Sequence, residues 1–196
     1  MDLVQGLIDA GRRFDARGWV LGTSGNFSAV VSRTPLALAI TRSGTHKGEL
    51  TREDILQLDD RGAVMAGNGV PSAETKLHLE IIGKRGAGAV LHTHSVAATR
   101  LSDTHPAGFE ISGYEMLKGL TGVTTHEHRE WIPVLENDQD MLRLAAGVRR
   151  VLDEHAACHG FLLRRHGLYT WGATLPDAVR HIEILEFLLE AELWRS

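Results

Sequence analysis

A single cysteine, Cys158, stands in 196 residues. An internal disulfide framework and a CxxC zinc or redox motif are therefore excluded, and a reducing cytoplasm is the expected compartment. Long apolar runs are missing as well. No stretch approaches the ~18 residues of a membrane span, and "MDLVQGLIDAGRRFDARGW" mixes acids with arginines where a signal peptide would have an apolar core. A soluble protein with no membrane partner is expected. There is no surplus of basic residues, since 21 Lys and Arg stand against 25 Asp and Glu for a formal charge of -4. That balance offers no field for nucleic acid, so any phosphate bound is expected to be a small one. Repeats, low-complexity tracts and linkers are absent. So is the P-loop pattern GxxxxGK[ST], and "GKRGAGAV" at 83–90 follows a helical pattern and precedes a strand, the reverse of a dinucleotide-binding loop. A nucleotide cofactor is not expected.

What is present suits one layered domain over residues 1–196, with a hydrophobic share of 43%. Leu3, Leu7, Ile8, Gly11 and Phe14 share one face of a first helix over 3–17, closed by Gly18. "FSAVVS" and "LALAIT", separated by Arg33, Thr34 and Pro35, read as a hairpin. A helix is expected from Ser72 through Lys84, a strand over 89–93, a short helix over 114–120 and a strand over 132–135. Asn137 with Asp138 is expected to cap a helix reaching about His155. "FLLRRH" and "LYTWG" read as paired strands at a sheet centre, and Thr174 with Asp177 as a capping box opening a last helix to Trp194. Helices interleaved with strands predict an α/β fold of three layers, with a mixed, largely antiparallel sheet.

Eleven histidines offer a metal site and many decoys. In "AVLHTHS", His92 and His94 end an apolar strand at i and i+2, a spacing that turns both imidazoles to one side. The same pattern also fits a hydrogen-bonded core histidine beside a surface one. His126 and His128 repeat it in the charged loop "TTHEHREW" and read as solvated surface. His166, ending another apolar strand just before Gly167, is the best third ligand. His46, His78, His105, His155, His159 and His181 read as surface or packing residues. Three neutral imidazoles leave the ion its full charge and an open position, the arrangement of a catalytic site, and zinc is the favoured ion among those imidazole suits. "GTSGN" at 22–26 and "TRSGTHKG" at 41–48 join glycines to hydroxyl and amide donors. They suit a phosphate cradle, and equally well ordinary turns.

Taken together and in order, "GTSGNFS", "ITRSGTHKGEL", "PSAETKLH", "AVLHTHS" and "RRHGLYTWG" resemble the class II aldolase and adducin-head family from about Leu3 to Leu193. The resemblance implies an α/β/α domain, a homotetramer with active sites near subunit boundaries, and one zinc ion per subunit on His92, His94 and His166. It further implies that Gly25, Asn26, Ser43, Gly44 and Ser72, with Lys47 as an extra contact, hold the phosphate of a small phosphorylated sugar. Two glutamates then separate the chemistries within the family. Glu74, in "PSAETKLH", matches the acid/base position of the aldolases. Glu115, in "ISGYEMLKGL", matches that of a dehydratase branch, which that run resembles more closely. The resemblance therefore implies water loss from a ketose phosphate with Glu115 as the catalytic residue and Glu74 as a fourth ligand or a group behind the ligands. Sugar-phosphate aldolase or epimerase chemistry on Glu74 is the alternative, and a non-catalytic adducin-like scaffold a further one.

Overall fold

Asp2 caps the first helix, its Oδ1 accepting the Val4 and Gln5 amides at 3.1 and 3.3 Å. The computed structural model describes residues 2–195. This helix, α1 (Leu3–Asp15), buries Leu7, Ile8 and Phe14. It ends two residues short of the expected boundary, and Gly18 turns the chain with φ +73°. The expected hairpin is β1 (Asn26–Arg33) and β2 (Leu36–Thr41), followed by β3 (Ile55–Leu58) and β4 (Val64–Ala66). Next come α2 (Thr75–Arg85), β5 (Ala89–Thr93), α3 (Val96–Thr104) and β6 (Phe109–Ser112). A 3₁₀ turn at Glu115–Gly119 leads to β7 (Arg129–Ile132), β8 (Val134–Leu135), α4 (Met141–Glu154), β9 (Gly160–Leu163), β10 (Gly167–Gly172) and α5 (Leu175–Leu193).

Eight strands form one sheet in the order β4-β3-β2-β1-β5-β10-β9-β8, and β6 with β7 makes a separate ribbon. Only the β8–β9 pair in the large sheet is parallel. One core, with Leu7, Phe14, Leu101 and Leu185, lies under α1, α3 and α5; the other, with Leu77, Ile81, Leu144 and Val148, lies under α2 and α4. This is the three-layer α/β/α arrangement. Among the described residues no helix is long and apolar enough to cross a membrane.

Several boundaries depart from expectation for local reasons. Pro133 cannot donate to a ladder, so the strand expected over 132–135 divides into β7 and β8, which join different sheets. Helix α4 is capped by Asp140, whose Oδ1 accepts from Leu142 N at 2.9 Å, while Asp138 accepts the Asp140 amide in the turn before it. Ser72 likewise shapes a turn ahead of α2, its hydroxyl accepting from Glu74 N. "FLLRRH" and "LYTWG" pair as expected, but β9 lies next to the edge strand β8 and the sheet centre is β1 and β5, with β10 beside β5.

Candidate metal centre

The site is built by strand register. Asn26 on β1 and Tyr169 on β10 both stand opposite His92 on β5, so the three share one face, with Ser28 two residues along from Asn26. The start of α2 covers that face with Glu74 and, one turn on, His78. The Tyr169 ring stacks on His92 with centroids 3.9 Å apart. His94 follows the end of β5, tied by its amide to the Trp19 carbonyl at 2.7 Å. His166 lies in the turn between β9 and β10, where Arg165 takes a positive φ of 52°. Thr99 Oγ1 donates to the His166 carbonyl (3.1 Å), Ser102 Oγ accepts from Arg165 N (3.0 Å) and Asp103 holds the Arg165 guanidinium (2.7 Å), so α3 pins the turn. Gly167 serves here through its missing side chain: a Cβ would lie 2.0 Å from the Thr93 carbonyl oxygen and 3.1 Å from the His92 ring.

The His92, His94 and His166 ligand nitrogens lie within 4.8 Å of one another. His94 Nε2 is 2.8 Å and His166 Nε2 is 3.4 Å from His92 Nε2. His92 Nδ1 meets the Leu168 carbonyl at 2.9 Å, so Nδ1 carries the proton and Nε2 presents its lone pair to the other two rings. Burial, then the neighbouring His94 and His166, drives the His92 pKa well below its ordinary value. Burial, then His166 and Lys47, takes that of His94 down to about 4. Imidazole nitrogens turned inward on one another fit a divalent cation by the chemistry of their donors. Glu74 completes the surround, with Oε1 3.4 Å from His166 Nε2 and Oε2 3.6 Å from His92 Nε2.

Beside the histidines lies a cleft of 170 Å³, lined by Gly25, Asn26, Ser43, Gly44, Lys47, Ser72, Glu74 and His94. Every residue expected in the phosphate cradle is among them. Gly25 has φ +74°, and a Cβ there would stand 2.8 Å from the His92 carbonyl oxygen, so the loop reaches the metal strand only with glycine. Lys47 is buried, and its Nζ donates to the Thr23 and Thr45 carbonyls at 3.1 and 2.7 Å, tying the two glycine loops together. Burial lowers its pKa to about 8. The cleft also holds Thr23 and Ser24 of the "GTSGN" loop, and Arg42, whose charge was not singled out from the sequence. Asp54 braces Arg42 at 2.8 Å, and a cation abutting "SG" was the available signal. His78 was also missed. It is fully buried, meeting Ser28 Oγ at 2.7 Å through Nδ1 and Asn26 Oδ1 through Nε2. Its i+4 spacing from Glu74 was the clue.

Glu115 lies apart from this cluster. It is exposed on the 3₁₀ turn, paired with Lys118 at 2.5 Å, and does not line the cleft. Of the second histidine pair, His126 is exposed as expected, and only His128 differs. His128 is half-buried because its Nε2 meets the buried Glu130 at 2.8 Å, so it is not solvated surface.

Comparison with known proteins accords with this geometry. Residues 5–193 match the Class II Aldolase and Adducin N-terminal domain. The methylthioribulose-1-phosphate dehydratase of Pseudomonas fluorescens is 49% identical over 97% of this chain and 92% of its own. That of Azotobacter vinelandii is 46% identical over 97% and 93%. Among solved structures, an L-fuculose 1-phosphate aldolase superposes with TM-score 0.82 at 24% identity over 100% of this chain and 86% of its own. The L-fuculose-1-phosphate aldolase of Thermus thermophilus does so with TM-score 0.78 at 26% identity over 98% and 94%. The chain belongs to the class II aldolase and adducin N-terminal domain family.

Proposed function

We propose that this protein is a zinc-dependent hydro-lyase of the cytoplasm that dehydrates 5-methylthioribulose 1-phosphate to 2,3-diketo-5-methylthiopentyl 1-phosphate in methionine salvage. The observation that carries this reading is the near-half identity, along almost the whole of both chains, to dehydratases of that name. The aldolases share the fold at about half that identity.

In this reading the substrate occupies the cleft. Its phosphate enters the loops of Gly25, Asn26, Ser43, Gly44 and Ser72, where Arg42 and Lys47 supply positive charge and binding energy remote from the reacting carbons. The substrate's C2 ketone then lies toward His92, His94 and His166. His92, His94 and His166 would hold a zinc ion, which when bound would supply Lewis-acid stabilisation of developing negative charge worth several kcal/mol. Glu115 takes the C3 proton. The electron pair of the broken C3–H bond moves toward C2, then returns to break the C4–O bond while Glu115 delivers the proton to the departing hydroxide. Water leaves, and the resulting enol ketonises to the diketone. In this reading Glu74, hydrogen-bonded by Asn26 Nδ2 at 2.6 Å, adjoins the ligands and shapes the metal's surround. Because Glu115 is exposed and outside the cleft of its own chain, it serves the site of a neighbouring subunit in a homotetramer.

The test gives metal-loaded protein 5-methylthioribulose 1-phosphate and fuculose 1-phosphate in parallel and identifies the products by mass. Loss of one water from the first substrate alone is expected, and an aldehyde with a three-carbon phosphate from the second would move the protein to the aldolases. Glu115→Gln is expected to keep its metal and lose roughly 10²–10⁴-fold in turnover. Near-normal dehydration by that variant would pass the acid/base role to Glu74.

A further inference from the structure

Another set of metal-ligand atoms lies outside the cleft. Glu130 on β7 is buried, with His128 from the loop before it and His159 from the residue preceding β9 on either side. Its Oε1 accepts the His159 amide at 2.8 Å. Its Oε2 faces both His128 Nε2, at 2.8 Å, and His159 Nδ1, at 3.0 Å. One ligand atom from each of the three residues lies within 4.8 Å of the others.

The arrangement of protons is informative. His159 Nε2 stands 2.9 Å from the Thr121 carbonyl, which can only accept, so that nitrogen carries the ring proton. In the neutral ring Nδ1 then turns a lone pair toward a carboxylate oxygen, and the two repel unless a cation lies between them. A second proton would relieve one such contact. A divalent ion would relieve it while also engaging His128 and the carboxylate. His92 uses the same device at the first centre, with its outer N–H tied to a backbone carbonyl. The spacings also match: 2.8 and 3.0 Å here, 2.8 and 3.4 Å there. Metal–nitrogen bonds of about 2.0–2.1 Å put tetrahedral ligands about 3.3 Å apart, so the spacings from Glu130 Oε2 to the two imidazole nitrogens need to open by only a few tenths of an ångström.

We propose that His128, Glu130 and His159 form a second divalent-metal site, a two-histidine, one-carboxylate set suited to zinc, with water completing it on the half-exposed His128 side. The ion joins β7, the residue before β9 and the loop before β7. Thr121, whose amide is held by His181 Nε2 at 3.1 Å, anchors the segment that follows Glu115 to the same cluster. The second ion therefore fastens the segment bearing Glu115 to the sheet.

Native mass spectrometry of the intact protein, equilibrated with zinc and desalted, counts the ions directly. Two per chain are expected in the wild type, and one each in His128→Ala, in Glu130→Gln and in His94→Ala, with none in His94→Ala/His128→Ala. One ion per chain in the wild type, or two retained by His128→Ala, would reduce the cluster to a hydrogen-bonded ion pair and overturn the proposal. His128 is partly exposed, so its variant reads the site even if Glu130→Gln fails to fold. Loss at His94 reports on the first centre alone, which keeps failure there distinguishable.

Discussion

Asn26 could turn either its oxygen or its nitrogen toward Glu74, and His78 holds the choice in place. A carboxylate only accepts, so the amide nitrogen faces Glu74 Oε2 at 2.6 Å and the amide oxygen faces His78 Nε2. That nitrogen must therefore donate, which leaves His78 Nδ1 to accept from the Ser28 hydroxyl at 2.7 Å. Burial pushes the His78 pKa down to about 3, so the ring is neutral, with one donor and one acceptor, across the working range. The result is a directed chain from Ser28 through His78 and Asn26 to the carboxylate beside His92 and His166. His78→Phe fills similar volume but strands the Ser28 hydroxyl and the Asn26 oxygen. Turnover is expected to fall roughly 10–100-fold, as for other groups behind metal ligands, while the ion at His92, His94 and His166 is retained. Paired measurements of kcat and of metal by mass spectrometry check this, and unchanged kcat would show that Asn26 needs no such support.

Strand β5 works on both faces. His92 turns toward α2 and the cleft, whereas Thr93 turns the other way, where its hydroxyl donates to Glu186 on α5. Glu186 is buried, and burial raises its pKa to about 7. Its folded-state pKa thus exceeds the unfolded value, so the native state binds the extra proton. Stability is full below the unfolded carboxylate pKa and falls as pH rises toward about 7, after which it levels. Glu186→Gln, which mimics the protonated acid, is expected to match the wild type near pH 4.5 and to exceed it at pH 8 by on the order of 2–3 kcal/mol. Urea melts at the two pH values read this directly, and equal gains at both would refute the linkage. Strand β5 was legible from the sequence to the residue, because an apolar run ending in HxH has few other readings. Strands β3, β4 and β6 and helix α3 were not picked out. The first three have three or four residues, too few to show a period, and α3 begins directly behind His94 with Ser95 as its cap. The three clustered histidines and the glycine loops that line the cleft could be picked out from short motifs along the chain. The contacts of His78 with Ser28 and Asn26, and of Glu130 with His159, could not, since those partners lie far apart in the sequence and only the fold brings them together.

At the scale of the whole molecule, one chain assembles the histidines, Glu74 and the glycine loops but leaves Glu115 exposed and outside the cleft. Residues 115–119 are anchored by Leu117, which is buried beneath α5, so the exposed side of the turn faces outward with Glu115, Lys118 and the partly exposed Met116. If Glu115 acts on a neighbouring subunit's cleft, each active site in the proposed tetramer draws on two chains. His94→Ala and Glu115→Gln homotetramers should then each be nearly inactive, the first lacking metal and the second lacking the proton carrier. Subunits from the two variants, exchanged and reassembled at equal amounts, form some boundaries where an intact metal cleft meets an intact Glu115. Random assembly around a fourfold ring places both at about one site in four. Dehydratase activity should therefore rise on mixing toward about a quarter of the wild-type value. If each chain worked alone, no combination would recover activity, because every site would carry one of the two defects. Absence of recovery, with subunit exchange verified by native mass spectrometry of the mixed oligomers, would return Glu115 to its own chain or remove it from the reaction. Recovery would establish that catalysis belongs to the assembly, with the metal held by one subunit and the proton carried by the next.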